Sequence, residues 1–310
     1  MKRAAALAGI ALTACEGSDR RAASPIIGGA PSNDAAVVLL VSYPKDQSVL
    51  DTCTAAVIAP SVLVTAAHCV DPMTHPDHVF GVFAGPDATA FATPQTIAPK
   101  LVSITKATLH PDYDRKAPFH ADIAVVELAS PLAVPPLPFA RAPLDASIVG
   151  AEARIVGYGE THYDTPNYAQ QSATTTIAKV DPDDTLTVGD GAHRSCVGDS
   201  GGPALVSLGG VETIVGIDSY ADLAGCLEPA HYRRVDVYAD FLAPFAPVSG
   251  EGGSGGATSS SSSSAGGSAA DGDGDAGGCA VAVGARATTS TLALAAALLA
   301  LGRRARRRSS

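Results

Sequence analysis

The central part of this sequence predicts an all-β fold, and three observations support that prediction. Short apolar runs rich in Val and Ile recur along the chain, at residues 36–41, 55–58, 62–65, 78–83, 123–128, 153–156, 204–207 and 213–217. Their lengths suit strands rather than helices, and Gly and Pro breakers separate them. Residues 235–245 are the exception, because their apolar side chains recur at helical spacing and Pro244 stands near the end.

The amino terminus has the shape of a secretory signal. Two basic residues and an apolar run precede Cys15, which is the order of regions in such signals. The four residues LTAC that end at Cys15 resemble the lipobox of bacterial lipoproteins, in which the cysteine is lipidated. An ordinary cleaved signal peptide is the alternative. Both interpretations of residues 1–15 predict export, and residues 16–25 would form a short propeptide.

The carboxyl terminus predicts a stalk and a membrane tail. Residues 249–278 are mostly Gly, Ser, Ala and Asp, which cannot bury enough apolar surface to order the chain. Cys279 follows, then an apolar stretch, and five arginines lie within residues 303–308. The tail, residues 279–310, resembles the sorting signals of myxobacterial surface proteins; a plain membrane anchor is the alternative. We expect attachment through one or both termini at the cell surface or outer membrane, or release by processing near Cys279.

The body, residues 26–248, is strongly acidic. It has 11 Lys and Arg against 25 Asp and Glu, a net charge of −14. Such a surface repels phosphate backbones, so nucleic acid is not an expected partner. A Pro-rich crossing at residues 131–143 divides the strands into two groups, which predicts two barrels, at about residues 26–135 and 136–248.

The cysteines also divide by region. Two of the six belong to the terminal signals. The exported body keeps the other four, and in an exported protein these predict two disulfides. By spacing alone three pairings are open among Cys53, Cys69, Cys196 and Cys226.

The motif GDSGGP at residues 198–203 predicts a nucleophilic serine. Hydrolysis of a peptide bond by serine needs a base, a carboxylate that orients the base, and donors for the oxyanion. Ser200 is the candidate nucleophile. A sharp turn would expose its hydroxyl while the amides of Gly198 and Ser200 converge on one point, and a side chain on Gly198 would obstruct that approach.

Two further motifs supply the remaining groups. His68 in TAAHC, residues 65–69, is the candidate base, and the adjacent Cys69 suggests a disulfide that holds its loop. Asp122 is the candidate orienting acid because it stands at the mouth of an apolar strand. Asp112 and Asp114 are weaker candidates, since they lie in a turn-like stretch.

These three motifs, in this order, resemble the trypsin and chymotrypsin family of serine endopeptidases over residues 26–245. The resemblance implies two six-stranded antiparallel β-barrels with a carboxyl-terminal helix, and a site in the cleft between the barrels. It implies disulfides from Cys53 to Cys69 and from Cys196 to Cys226. It also implies protein or peptide substrates, no cofactor and a monomeric enzyme.

The same resemblance gives a role to Asp199. In the family a newly freed amino terminus pairs with the acid before the serine and orders the oxyanion loop. Here that terminus would be Ile26, in IIGG at residues 26–29. Pro25 departs from the family, which is usually cut after Arg or Lys, so either a separate activating protease makes this cut or the start is formed differently.

Arg194 departs from the family's specificity pattern. The resemblance makes it the floor of the primary pocket, with walls at SYA, residues 219–221, and PAH, residues 229–231. The wall alanines Ala221 and Ala230 stand where trypsin-like enzymes keep glycine and would narrow the entrance. A cationic floor in a narrowed pocket favours an acidic or a small residue before the scissile bond, so a trypsin-like preference for Arg or Lys is not expected. The alternative is that Arg194 pairs with an acid such as Asp190 or Asp218, or turns outward, and leaves a small apolar pocket.

Three functions compete on this sequence. An exported serine endopeptidase is the first, since no triad member is replaced. A silent protease-like binding module and a membrane-tethered display scaffold are the others. His75, His78 and the nearby acids have no recognisable metal-binding spacing, so no metal ligand is assigned, although a calcium site in that loop stays open.

Overall fold

A computed structural model describes residues 26–116, 118–160, 166–221 and 226–246. The described residues form an all-β fold of two closed six-stranded antiparallel barrels, which confirms the predicted fold class. The lipobox, the stalk, the Arg-rich tail and their cysteines, Cys15 and Cys279, lie outside the described residues.

The first barrel closes in the strand order β2-β3-β4-β7-β6-β5. Its strands are β2 Val37–Pro44, β3 Asp51–Ala59, β4 Val62–Thr65, β5 His78–Phe83, β6 Val102–Leu109 and β7 Ala124–Leu128. The short helix α1, Pro94–Ile97, lies between β5 and β6 and begins with a capping box at Thr93.

The second barrel closes because β8 pairs with both β9 and β11. Its strands are β8 Glu152–Gly157, β9 Gln171–Val180, β10 Thr185–Val188, β11 Pro203–Leu208, β12 Val211–Tyr220 and β13 Ala230–Arg234. The first strand of the chain, β1 Ala30–Pro31, adds to β9. The sequence assigned residues 26–135 to the first barrel, and this pairing corrects the assignment for the segment that begins at Ile26.

Strands with continuous apolar runs were predicted, whereas strands with alternating polar residues were missed. In β9 the buried and exposed positions alternate from Ala173 to Ala178, and the exposed ones include Thr174 and Thr176. Such a strand buries one face and leaves the other to solvent, so it has no apolar run to recognise. Strand β6 has no buried position, and β10 and β13 are largely buried, but all three mix polar with apolar residues and show no apolar run either.

The predicted helix over residues 235–245 is much shorter in the structure. Helix α2 spans Ala239–Leu242, and residues 235–238 form turns. The amide of Val235 donates to the carbonyl of Val215 in β12, and Asp236 accepts from the amide of Leu144 at 2.8 Å. These bonds to the second barrel hold the segment out of helical geometry, so local periodicity gave way to tertiary contacts.

Contacts between the barrels position the site. The hydroxyl of Tyr158, at the end of β8, donates to the carbonyl of Gly85 at 2.8 Å. The Thr54 hydroxyl in β3 donates to the carbonyl of Gly198 at 3.0 Å, and the Thr54 amide donates to the carbonyl of Ser200 at 2.8 Å. The first barrel therefore holds the backbone of the loop that carries Ser200.

Candidate active site

His68 lies in a 3₁₀ turn, Ala67–Cys69, directly after β4. The neighbouring residues Ala66 and Ala67 are fully buried, so their small size lets the turn sit against the barrel. A disulfide joins Cys69 to Cys53 in β3 and ties this turn to the sheet. The ring of His68 stays 24% exposed, which leaves it accessible to a substrate.

Asp122 lies just before β7, and its side chain is fully buried. One carboxylate oxygen lies 2.7 Å from Nδ1 of His68, and the other accepts the His68 amide at 2.8 Å. The hydroxyl of Ser219 donates to the same carboxylate at 2.6 Å. Three donors therefore fix the carboxylate, and it fixes the imidazole with Nδ1 protonated.

The chain before Asp122 has an unusual backbone. Phe119 and Ala121 have positive φ angles of 55° and 51°, a region that costs free energy for residues with a Cβ. The ring of Phe119 stacks on His68 with centroids 5.6 Å apart. The strained turn thus delivers both the acid and an aromatic contact to the histidine. The alternative acids, Asp112 and Asp114, are exposed and contact neither ring nitrogen of His68.

Ser200 follows a turn in which Gly198 has a φ of +91°. Such an angle favours glycine, and an added Cβ would lie 3.0 Å from Cα of Gly159. Ser200 and His68 line the same cleft, of about 320 Å³. A disulfide from Cys196 to Cys226 closes the other side of the loop. The structure thus brings His68, Asp122 and Ser200 together from separate parts of the chain.

The amides of Gly198 and Ser200 are available to a ligand. Within the described ranges, neither nitrogen donates a hydrogen bond to another residue, whereas the amides of Asp199 and Gly201 both do. Unsatisfied amides beside a nucleophile can stabilise an oxyanion.

Asp199 is buried beneath this loop. Its carboxylate accepts hydrogen bonds from the amides of Gly159, at 2.8 Å, and Cys196, at 2.9 Å, and from the Ile26 backbone nitrogen. Burial raises the pKa of Asp199 to about 7. Ile26 is itself buried, and an added Cβ on Gly159 would collide with the Asp199 carboxylate. The structure brings the predicted Ile26 and Asp199 pair into contact.

Backbone carbonyl oxygens hold the Arg194 guanidinium. The guanidinium donates to the carbonyl oxygens of Cys226 and, at 3.2 Å, of Gly191. Gly191 is exposed and Arg194 is half-buried. Among the described residues, backbone carbonyls rather than Asp190 or Asp218 therefore satisfy the guanidinium.

Each residue predicted to form the pocket walls contacts a different part of the site. Ser219 directs its hydroxyl at Asp122. Tyr220 stacks on His231 with centroids 4.6 Å apart and lies against the Arg233 guanidinium. Ala230 is buried and Ala221 is exposed.

Asp218 is a buried acid that the sequence predicted only as a possible partner for Arg194. It lies in β12 beside Ser219, it is 4% exposed, and it accepts a hydrogen bond from the Ser195 side chain. Burial, followed by the nearby Asp199 carboxylate, raises its pKa well above the ordinary value. An acid directly after the apolar run at residues 213–217 was the signal that could have identified it.

A group of possible metal ligands lies at the edge of the same cleft. Asp51, His75 and His78 each offer one ligand atom, and these atoms lie within 4.8 Å of one another. Sequence spacing had assigned no ligand here. Cys53, His68 and Cys69 also lie close together, but the disulfide occupies both sulfur atoms.

The described residues include no helix that is long and apolar enough to cross a membrane.

Comparison with known proteins identifies similar chains. A family model described as Trypsin matches residues 26–242. The chain is 27% identical over 218 residues to ovochymase of Halocynthia roretzi, covering 64% of this chain and 13% of that protein. It is 29% identical to serine protease 56 of Mus musculus, covering 72% and 39%. It is 27% identical to a trypsin of Saccharopolyspora erythraea, covering 70% and 96%. The chain therefore spans well under two thirds of the first two relatives and nearly all of the third.

Proposed function

Because this chain belongs to the trypsin family, we propose that it is an exported serine endopeptidase in which Ser200, His68 and Asp122 form the catalytic triad. The observation that carries the proposal is the buried Asp122 carboxylate, which holds Nδ1 of His68 at 2.7 Å in the cleft that Ser200 lines. This geometry leaves Nε2 of His68 as the base on the cleft side.

The mechanism follows from these positions. His68 takes the proton of the Ser200 hydroxyl as the oxygen attacks the peptide carbonyl. The negative charge on the carbonyl oxygen is stabilised by the amides of Gly198 and Ser200. His68 then gives its proton to the leaving amine, and water hydrolyses the acyl-enzyme by the reverse sequence. Asp122 stays ionised and stabilises the imidazolium.

Activation depends on the residues before Ile26. A cut between Pro25 and Ile26 would turn the Ile26 amide, already at Asp199, into an ammonium that pairs with the carboxylate. Trypsin-like self-cleavage after Pro25 is not expected, so another protease would make the cut. If Cys15 is lipidated, the cut also releases the enzyme from that anchor. Full activity in enzyme still joined to residues 15–25 would overturn this activation scheme.

We further propose that Asp218, rather than Arg194, sets the primary specificity. The Asp218 carboxyl accepts hydrogen bonds from the Ser195 side chain and from the backbone of Ser219, a predicted wall residue, and it is buried. A buried carboxyl there favours a cationic side chain before the scissile bond, because such a side chain would offset its desolvation and the nearby Asp199 charge. Preference for an acidic or a small residue is the competing outcome that the sequence favoured.

The first experiment is a peptide-library cleavage profile of a form that begins at Ile26, beside its Ser200→Ala variant. Cleavage that is absent from the variant supports the endopeptidase. If both forms are folded and neither cleaves, a binding module or a display scaffold replaces it. Cleavage after Lys or Arg that is lost in Asp218→Asn but kept in Arg194→Ala supports the Asp218 assignment. Cleavage after Asp or Glu that depends on Arg194 overturns it.

A further inference from the structure

A histidine pair and an acid meet at the edge of the cleft, although they come from three separate elements. Asp51 opens β3, His78 opens β5, and His75 lies in the loop between the 3₁₀ turn of His68 and β5. The His78 Nδ1 atom lies 3.9 Å from an Asp51 carboxylate oxygen. The two imidazole rings have centroids 5.0 Å apart.

The surroundings of the two rings suit metal coordination. Ring atom Nε2 of His75 lies 3.1 Å from the carbonyl oxygen of His68, so it donates and leaves the lone pair on Nδ1. A ligating histidine typically donates its other N–H to a carbonyl in this way.

We propose that Asp51, His75 and His78 bind a Zn²⁺ ion, with water or a substrate group as the fourth ligand. Two imidazoles and one carboxylate with an open position are a ligand set that zinc accepts. Tetrahedral bonds of about 2.0 to 2.2 Å place ligand atoms roughly 3.3 to 3.5 Å apart. The three ligand atoms lie within 4.8 Å of one another, so the site closes by rotation of side chains of which none is fully buried.

Calcium is a poorer match for this site. Ca²⁺ takes six to eight oxygen ligands, whereas the cluster offers two nitrogens and one carboxylate, with the Ser42 hydroxyl nearby at 3.2 Å from His78. The nitrogen content therefore favours zinc.

The position of the site predicts an effect on catalysis. Asp51 and His75 line the same cleft as His68 and Ser200, and His75 is hydrogen-bonded to the backbone of His68. An ion held there would occupy part of the path of a bound polypeptide. We expect zinc to inhibit peptide hydrolysis; this second step rests on the proposed function, whereas zinc binding does not.

The test is calorimetric titration of the full chain carrying Ser200→Ala with ZnCl₂, so that self-digestion does not interfere. We expect one saturable site. His75→Ala and His78→Ala should each weaken it by at least about 100-fold, since loss of an outer-shell partner alone costs 10- to 100-fold. His120→Ala, which removes an exposed histidine outside the cluster, should leave binding unchanged. Circular dichroism checks that each variant folds. If an alanine variant of the cluster does not fold, His78→Gln is used in its place.

The outcomes test zinc binding and the inhibition of catalysis by zinc separately. No saturable zinc binding, binding that survives both histidine variants, or binding of CaCl₂ with no binding of ZnCl₂ overturns the site. In the active form, zinc should inhibit cleavage of a peptide, EDTA should restore it, and His78→Ala should abolish the inhibition. Zinc binding without inhibition overturns the predicted effect on catalysis. If the zinc-free enzyme cleaves nothing, the proposed function fails while the calorimetry still decides the site.

Discussion

Asp122 illustrates how a single residue is positioned by distant parts of the chain. Its carboxylate is held by the amide of His68 and by the hydroxyl of Ser219, which lie 54 and 97 residues away in the chain. Both contacts favour one orientation of the His68 ring. Asp122 therefore sets the tautomer and the orientation of the His68 imidazole, and it also supplies a negative charge beside the ring.

We predict that Asp122→Asn lowers kcat by about 10⁴-fold with little loss of stability, the size of effect seen when a serine protease triad loses this carboxylate. The neutral amide brings no charge to stabilise the imidazolium, and its NH₂ group can donate to Nδ1 and hold the ring in the wrong tautomer. Steady-state hydrolysis of a peptide substrate measures the change. Asp112→Asn, which alters an exposed acid in the competing turn, serves as the matched control and should keep full activity. Equal losses in the two variants would contradict the assignment.

At the scale of elements, one glycine allows the loop of Ser200 to contact the first barrel. Gly201 has a φ of +83°, and an added Cβ would collide with the backbone carbonyl of Thr54 and the hydroxyl of Thr65. These atoms belong to β3 and β4. The close approach is possible because residue 201 has no side chain.

Gly201→Ala should therefore lower the free energy of unfolding by roughly 2 to 5 kcal/mol, from left-handed strain and overpacking together. Gly209→Ala is the control, because it also has a positive φ but has open space around it, and it should cost about 1 kcal/mol. Denaturant unfolding of both variants gives the comparison. A Gly201→Ala variant as stable as Gly209→Ala would show that the contact relaxes without cost.

The disulfide between Cys53 and Cys69 joins β3 to the turn that carries His68. It closes a loop with a sequence separation of 16. Loops of this size contribute about 3 kcal/mol, so the double variant Cys53→Ser with Cys69→Ser should lose that much stability in urea unfolding. Its kcat should also fall, because His68 loses its tether. Unchanged activity in a folded double variant would mean that the barrel alone positions the turn.

Across the whole molecule, the segment that begins at Ile26 meets the second barrel at one buried carboxylate, that of Asp199. The segment at Ile26 leads into β1, which pairs with β9, and its first nitrogen contacts Asp199. In the uncut chain that nitrogen is a neutral amide, and no cationic side chain of the described ranges forms an ion pair with the carboxylate. Asp218 lies close by and adds to the repulsion.

This arrangement predicts a pH dependence of stability. The folded-state pKa of Asp199, about 7, lies above the ordinary value of 3.8, so the folded chain binds more protons between these values. Stability of the uncut chain should fall as pH rises from about 4 to about 7, by on the order of 4 kcal/mol from this group. A form beginning at Ile26 should lose less, because its ammonium lowers the pKa of Asp199.

Chemical denaturation of both forms from pH 4 to pH 8 measures this effect. The difference in unfolding free energy between the two forms should grow with pH. It should shrink in Asp199→Asn, where the titrating group is absent. Both forms contain the same other titratable groups, including Asp218 and Tyr232. The comparison therefore reports on the interaction between the Ile26 nitrogen and Asp199. A difference that does not change with pH, or that persists unchanged in Asp199→Asn, would contradict the role given to Ile26.

The residue pattern alone predicted the all-β class and identified His68, Asp122 and Ser200 as candidate site residues. Those features depend on local chemistry: strand-length apolar runs, a glycine-rich turn around a serine, and small residues before a histidine. The roles of these residues stay predictions, although the structure brings their side chains to one cleft.

Contacts between distant segments supplied four further features: the carbonyl partners of Arg194, the burial of Asp218 beside Ser195, the pairing of β1 with the second barrel, and the meeting of Asp51 with His75 and His78. Each of these features depends on which distant segment supplies a hydrogen-bond partner or excludes water. A one-dimensional pattern records the residue type but not that partner, because strand pairing in two closed barrels joins positions far apart in the chain.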